Sequence, residues 1–298
     1  MRTATRAVPT KAVNNLKVKE IFCKSALVKS QIPGVDYALN PYLGCEHKCL
    51  YCYASFMQKY TEHKERWGDF VDVKINLLER LSQQIKRNPQ RIKQMKRINV
   101  ADSKVVMLSS VTDPYQPVEE KFRLTRGCLE ILAGTDFSVS IQTKSDLVLR
   151  DLDIIKRLKD VEVGFTITTL DEEIRRKFEP RASSVEQRIK ALEILGDNKI
   201  SAFVFFGPIL PYFSDDKEVI KSLLNRLNKI KVSRVYLDKL NYKGRNWERI
   251  ERFLLENYPK LIKYYQWTKN CEKEYAQMLK MRIEEATKNI PLVYQIVF

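Results

Sequence analysis

The chain reads as an α/β protein built on a parallel sheet, and three observations carry that expectation. Short apolar runs recur near 37–43, 104–110, 137–143, 161–168, 200–208 and 234–240. The stretches between most of them place apolar residues at helical spacing. At 298 residues and 44% hydrophobic content, the chain can bury one large core without disulfide staples. Strands that alternate with helices in this way pair in parallel through right-handed crossovers.

Taken in order, residues 1–36 are a polar, basic arm (MRTATRAVPTKAVNNLKVKE) followed by IFCKSALVKS, an edge element with Cys23 as a small packing residue. After the first strand, ASFMQKYTEHKERW reads as a helix, VDVKIN as a short strand, and NLLERLSQQIKR as a helix with Leu77, Leu78, Leu81 and Ile85 on one face. KVVMLSSVTDPYQP is a buried strand stopped by polar residues and two prolines. PVEEKFRLTRGCLEILAG is a helix with Pro117 near its start, Gly134 after its end and Cys128 packed inside. Strand FSVSIQTKS, helix LVLRDLDIIKRLKD, strand VEVGFTITT, helical residues 171–197, strand ISAFVFFGPILP, helix DKEVIKSLLNRLNKIK and strand RVYLDKLN complete the series. Residues 37–245 thus form the core, and 246–298 a largely helical C-terminal extension ending in a strand, PLVYQIVF. Trp247, Trp267 and the tyrosines of that extension fall on apolar helical faces as packing groups.

Lysine and arginine exceed aspartate and glutamate by 53 − 37 = +16. That balance suits an acidic partner such as nucleic acid, and equally a solvated, lysine-rich surface. The segment Lys86 to Arg97 carries six basic residues in twelve and no acid, as a phosphate-tracking strip or an exposed helix end would. No run approaches ~18 apolar residues and the N-terminus lacks a signal-like apolar core, so no membrane contact and a cytoplasmic location are expected. Three clustered and three scattered cysteines do not make a secreted disulfide framework.

The chemistry concentrates in Tyr37–Ala54, YALNPYLGCEHKCLYCYA, where Cys45, Cys49 and Cys52 stand at C-x3-C-x2-C spacing. Soft thiolates so arranged select zinc or an iron–sulfur cluster. Structural zinc calls for four ligands, usually two separated pairs. Here the other cysteines are isolated and the only histidines are His47 and His63. Three cysteines suit a four-iron cluster with one iron left open.

CEHKCLYC resembles the cluster loop of the radical S-adenosylmethionine (radical SAM) enzymes, with Tyr51 in the aromatic position before the last cysteine. NPYLGCEHKCLYCYA is similar, more narrowly, to the spore photoproduct lyase-like (DNA repair photolyase-like) branch. SSVTDPYQP, IQTKSDLVLRD, FTITTLDEEIRRKFEPRASSVEQRIKAL and FFGPILP continue the likeness through the second to fifth strands. The resemblance implies a partial six-unit (β/α) barrel with its site at the carboxyl ends of the strands. It also implies a 4Fe-4S cluster on Cys45, Cys49 and Cys52, and S-adenosylmethionine on the open iron, cleaved reductively to a 5′-deoxyadenosyl radical. A reducing partner such as ferredoxin or flavodoxin follows from that chemistry.

Polar residues at the ends of apolar strands are how a barrel meets such a ligand. By position the resemblance implies that Thr112, Lys144 and Thr166 contact the methionine or ribose part, with Thr168 on the same strand as Thr166. Asp113 meets the ammonium by charge, Arg181 the carboxylate, and Tyr51 with the backbone at Gly207 the adenine region. Tyr53 matches a tyrosine implicated in the lyase. Ser110 stands where the lyase has a hydrogen-donating cysteine, and a hydroxyl is a far poorer hydrogen-atom donor. The likeness therefore does not extend to that repair reaction and leaves the substrate open: nucleic acid, or a peptide or small metabolite. A non-catalytic zinc protein that binds nucleic acid is the reading from another class.

Overall fold

A computed structural model describes residues 16–87, 104–243 and 245–298. The arm before residue 16 and most of the basic strip 86–97 lie outside the described residues. Eleven strands form two sheets among them. β1 (Lys17–Ile21), β4 (Tyr42–Gly44) and β5 (Phe70–Lys74) make a small sheet in the order β1-β5-β4. The large sheet has β2 (Leu27–Lys29), β3 (Tyr37–Leu39), β6 (Val105–Leu108), β7 (Ser138–Thr143), β8 (Asp160–Thr166), β9 (Ser201–Ile209), β10 (Arg234–Lys239) and β11 (Tyr294–Ile296). Its order is β11-β10-β9-β8-β7-β6-β3-β2, with only the β2–β3 pair antiparallel. Five of the six expected strands are β6 to β10, in chain order; the first, 37–43, splits into β3 in this sheet and β4 in the small one. β11 adds a further parallel strand beside β10. No pairing joins β2 to β11 among the described residues, so the sheet is open.

Register explains the core. Leu39 stands beside Leu108, Leu108 beside Ile141, Ile141 beside Val163 and Val163 beside Ala202. This buried row crosses five strands on one face, each larger member contributing about 1.5–3 kcal/mol on burial. Helices cover it: α1 (Leu77–Arg87), α3 (Leu124–Leu132), the short α4 (Leu152–Ile155), α6 (Val185–Asp197) and α7 (Lys217–Ile230). The short α2 (Glu119–Phe122) and α5 (Glu172–Phe178) pack in two smaller clusters. After β10 come α8 (Asn246–Asn257), α9 (Ile262–Asn270) and α10 (Glu272–Thr287). Tyr275, Leu279 and Ile283 of α10 join the same core as Leu223 and Leu227 of α7. Trp267 and Trp247 pack against tyrosines, Tyr275 and Tyr242 respectively.

Three expected helices differ. Residues 54–67 form only a 3-10 helix, Tyr53–Tyr60, and then turns. The stretch after Pro117 breaks at Arg123, whose φ of 50° is left-handed. The buried Glu119 carboxylate accepts the N–H of Thr125 at 2.9 Å and of Arg126 at 3.3 Å, capping a second helix where one had been expected. Residues 146–155 are a 3-10 helix, Asp146–Asp151, followed by the short α4.

Candidate active site

A cavity of about 190 Å³ lies at the carboxyl ends of β6 to β10, with the loop after β4 laid across it. Gly44 ends β4 at φ 89°, and a Cβ there would stand 2.5 Å from the Phe70 carbonyl oxygen. Glycine is what lets the chain leave β4 this close to β5. Tight turns then carry the cysteines: the Lys48 N–H donates to the Cys45 carbonyl at 3.4 Å and the Cys52 N–H to that of Cys49 at 3.3 Å. All three cysteines line the cavity, and none is in a disulfide.

Among the described residues no three His, Cys, Asp or Glu side chains gather closely enough to hold one metal ion. Thiolates that each bind a different iron of a cluster need no such convergence. Burial pushes the Cys49 thiol up to about 12, with Glu179 and Cys52 adding to the rise and Lys144 and Arg188 opposing it. Burial raises Cys45 too, reinforced by Asp113 and the other two sulfurs. The pair therefore stays protonated until a metal displaces the protons, which fits a buried thiolate cluster site.

Behind the loop is a charged network that sequence reasoning missed. Glu179 and Arg188 are both buried, at 0% and 1% exposure, and paired. The Tyr51 hydroxyl donates to Glu179, as does Thr168 Oγ1 at 3.2 Å. Arg188 also donates to the carbonyls of Thr166 and Ser183, each at 2.8 Å. Burial would raise Glu179, but Arg188 and Lys144 outweigh it and hold the carboxyl below its ordinary value. Likewise burial would lower Lys144, yet Cys49, Glu179 and Asp113 leave it raised and charged. From the C-terminal helices, Asn246 Nδ2 donates to the Tyr51 carbonyl at 3.1 Å and Arg249 Nη2 to that of Cys52 at 2.8 Å.

Eight of the ten non-cysteine residues singled out from the sequence line the cavity: Tyr51, Tyr53, Ser110, Thr112, Asp113, Lys144, Thr166 and Gly207. Several are already engaged. Asp113 accepts from Thr143 Oγ1 at 2.7 Å, Lys144 N at 2.9 Å and Tyr115 N at 2.9 Å. His47 Nε2 lies 3.2 Å from the same carboxylate oxygen that Lys144 N reaches. Asp113 thus braces the strand ends as well as facing the cavity. Thr112 Oγ1 donates to the Gly44 carbonyl at 2.5 Å, and Thr166 Oγ1 accepts from Gln142 at 3.2 Å. The Tyr53 hydroxyl donates to the Ser110 carbonyl, bringing those two together. Thr168 and Arg181 are not in the wall: Thr168 turns to Glu179, and Arg181 reaches the Gly68 carbonyl at 3.4 Å. Asp238, near the end of β10, and Asn241, just past it, do line it. The same end-of-strand criterion, applied to LDKLN, finds them.

The radical SAM superfamily model matches residues 39–224. The uncharacterized protein MJ0683 of Methanocaldococcus jannaschii is 36% identical over 246 residues, covering 83% of this chain and 85% of that one. The uncharacterized protein ORF301 of Acidianus two-tailed virus is 32% identical over 228 residues, 74% of this chain and 72% of that one. Among solved structures, a mutant of spore photoproduct lyase superposes with a TM-score of 0.69 at 16% identity, over 99% of this chain and 88% of that one. Another mutant of that lyase, with bound AdoMet and dinucleoside spore photoproduct, gives 0.64 at 17% identity, over 98% and 87%. At such identities the superpositions speak for the fold. The family match, spanning the cluster loop and the strands that wall the cavity, is what identifies the chemistry: this chain belongs to the radical SAM superfamily and is an enzyme of that class.

Proposed function

We propose that Cys45, Cys49 and Cys52 hold a 4Fe-4S cluster and that the cavity beside them takes S-adenosylmethionine for reductive cleavage, with nucleic acid as the substrate class. The cluster and its ligand supply, when bound, a 5′-deoxyadenosyl radical that abstracts hydrogen. The chain's own work is placement. The Glu179–Arg188 pair fixes Tyr51, and with it the turn between Cys49 and Cys52. Lys144, charged and 5.8 Å from the Tyr51 ring centre, presents a cation to the cavity where a carboxylate is to be received. Asp113 and Thr143 tie the ends of two strands together so that the wall does not shift.

The observation that carries the reading is three free cysteines on one cavity wall, two of them buried and raised, ringed by Lys144, Arg188 and Arg249. Nucleic acid is favoured by the +16 charge and by an exposed aromatic ring in the cavity wall. Tyr53 is 49% exposed in that wall, as a ring that stacks on a base would be.

Anaerobic reconstitution tests both parts. Protein with about four irons that releases 5′-deoxyadenosine on reduction is expected, with Cys49→Ala losing colour and cleavage together. Release stimulated by single-stranded DNA or RNA supports the substrate class; stimulation by peptide or metabolite fractions alone overturns it.

A further inference from the structure

The turn that follows the 3-10 helix carries Trp67, which lines the cavity and reaches the cysteine loop. Trp67, 3% exposed, packs against Cys45 together with Ala54 and Phe70. It is held by a turn from Arg66 to Asp69, where the Asp69 N–H donates to the Arg66 carbonyl at 2.9 Å. Gly68, at φ 100°, leaves no room for a side chain: a Cβ would sit 2.5 Å from Lys48 Cγ. The turn therefore presses on the cysteine loop itself, since Lys48 lies between Cys45 and Cys49.

The charge around that turn is one-sided. Lys17 pairs with Glu65, Lys19 with Glu62 and Lys48 with Asp69, and Arg181 has Glu46 near it. Lys59, Lys64 and Arg66 are exposed and have no carboxylate partner among the described residues. Unpaired basic groups on a turn whose tryptophan packs on Cys45 fit an acidic protein that delivers one electron. Resting on the cluster reading above, we propose that the turn Arg66–Asp69 with Lys59 and Lys64 is the docking surface for an acidic one-electron donor, with Trp67 as the contact through which it faces the cluster. The step moves one electron and no atoms: a donor flavin passes from the anionic hydroquinone to the neutral semiquinone, and the cluster from its 2+ to its 1+ state. Nucleic acid on the same rim is the competing occupant, disfavoured because it has no need to lie over Cys45.

The test follows bleaching of the reconstituted cluster under anaerobic stopped flow, with reduced flavodoxin of acidic sequence or with dithionite. Lys64→Glu/Arg66→Glu is expected to slow flavodoxin reduction about tenfold at low ionic strength, as loss of steering does, with the gap closing in high salt. Dithionite reduction should be unchanged, as should both rates in the control Lys221→Glu/Lys229→Glu on α7, which alters net charge equally. Equal flavodoxin rates in all three proteins, or a variant that instead loses only single-stranded DNA binding, overturns the docking site. Failure of dithionite to bleach the unmodified protein would strike the cluster reading, not the surface.

Discussion

Asp238 gives the sharpest check on how the cavity is built. It stands half-buried in the wall at the end of β10, and burial lifts its carboxyl from an ordinary 3.8 to about 6, against the opposing pull of Lys239, Lys243 and an Asn241 hydrogen bond. Between those two values the native protein holds a proton that the unfolded chain has released. Native stability therefore falls as pH rises from about 4 to about 6, and the loss is complete above that window. Two units correspond to about 3 kcal/mol. Residual water at a half-buried site reduces this to about 2 kcal/mol. Asp238→Asn keeps the shape and the oxygen that Asn241 Nδ2 reaches at 3.2 Å, but has no charge to desolvate. In metal-free protein at pH 7 the variant should melt about 5 °C higher than its parent, at some 2–4 °C per kcal/mol for a chain of this size. At pH 4 the two should melt together. Melting curves taken across pH 4 to 8 would refute the reasoning if the gap stayed constant or had the opposite sign. An acid retained at such a cost in a cavity wall marks a ligand-facing position.

Three other outcomes follow from geometry already described. Arg188→Ala strands the Glu179 carboxylate in the interior and should lose about 3–5 kcal/mol in urea unfolding, whereas Tyr51→Phe removes one hydrogen bond and should lose about 1 kcal/mol; equal losses would mean the pair is not what fixes the loop. Gly44→Ala places a methyl 2.5 Å from a backbone oxygen at φ 89° and should destabilise by about 3 kcal/mol, with reduced iron uptake on reconstitution. Asp113→Asn leaves its hydrogen bonds from Thr143 and Tyr115 an oxygen to reach but removes a charge held well below the ordinary carboxylate range by His47, Lys144 and Thr143 against burial. Stability should then stop falling with acid between pH 4 and pH 2, a slope measurable by circular dichroism.

What the sequence made legible was local or periodic. Three cysteines within eight residues and six apolar strands in series need no tertiary information, and the parallel order followed from them. Glu179 and Arg188 escaped notice for a physical reason. Charged residues are almost always solvated, and nothing in EPRASSVEQR says that two of its charges face each other in the core. The link from Asn246 and Arg249 to the cluster loop was hidden by separation along the chain. The helix expected over 54–67 failed because Trp67 and Gly68 are committed to Cys45 and Lys48, which a helix would carry elsewhere. Arg123 was read through as helix, while Glu119 turns inward to cap the next one. VDVKIN reads as a short strand and supplies most of β5, but nothing in it announces that β5 pairs with β1 and β4 in a second sheet.

The ties from α8 to the cysteine loop bear on how the protein matures. The groups that clasp the Tyr51 and Cys52 carbonyls arrive 195 and 197 residues later in the chain. A nascent polypeptide thus exposes its thiols to the cell through most of translation before the clasp exists. The cysteine loop is therefore clasped only late in synthesis, and α8 acts as the latch on the protein's first reactive segment.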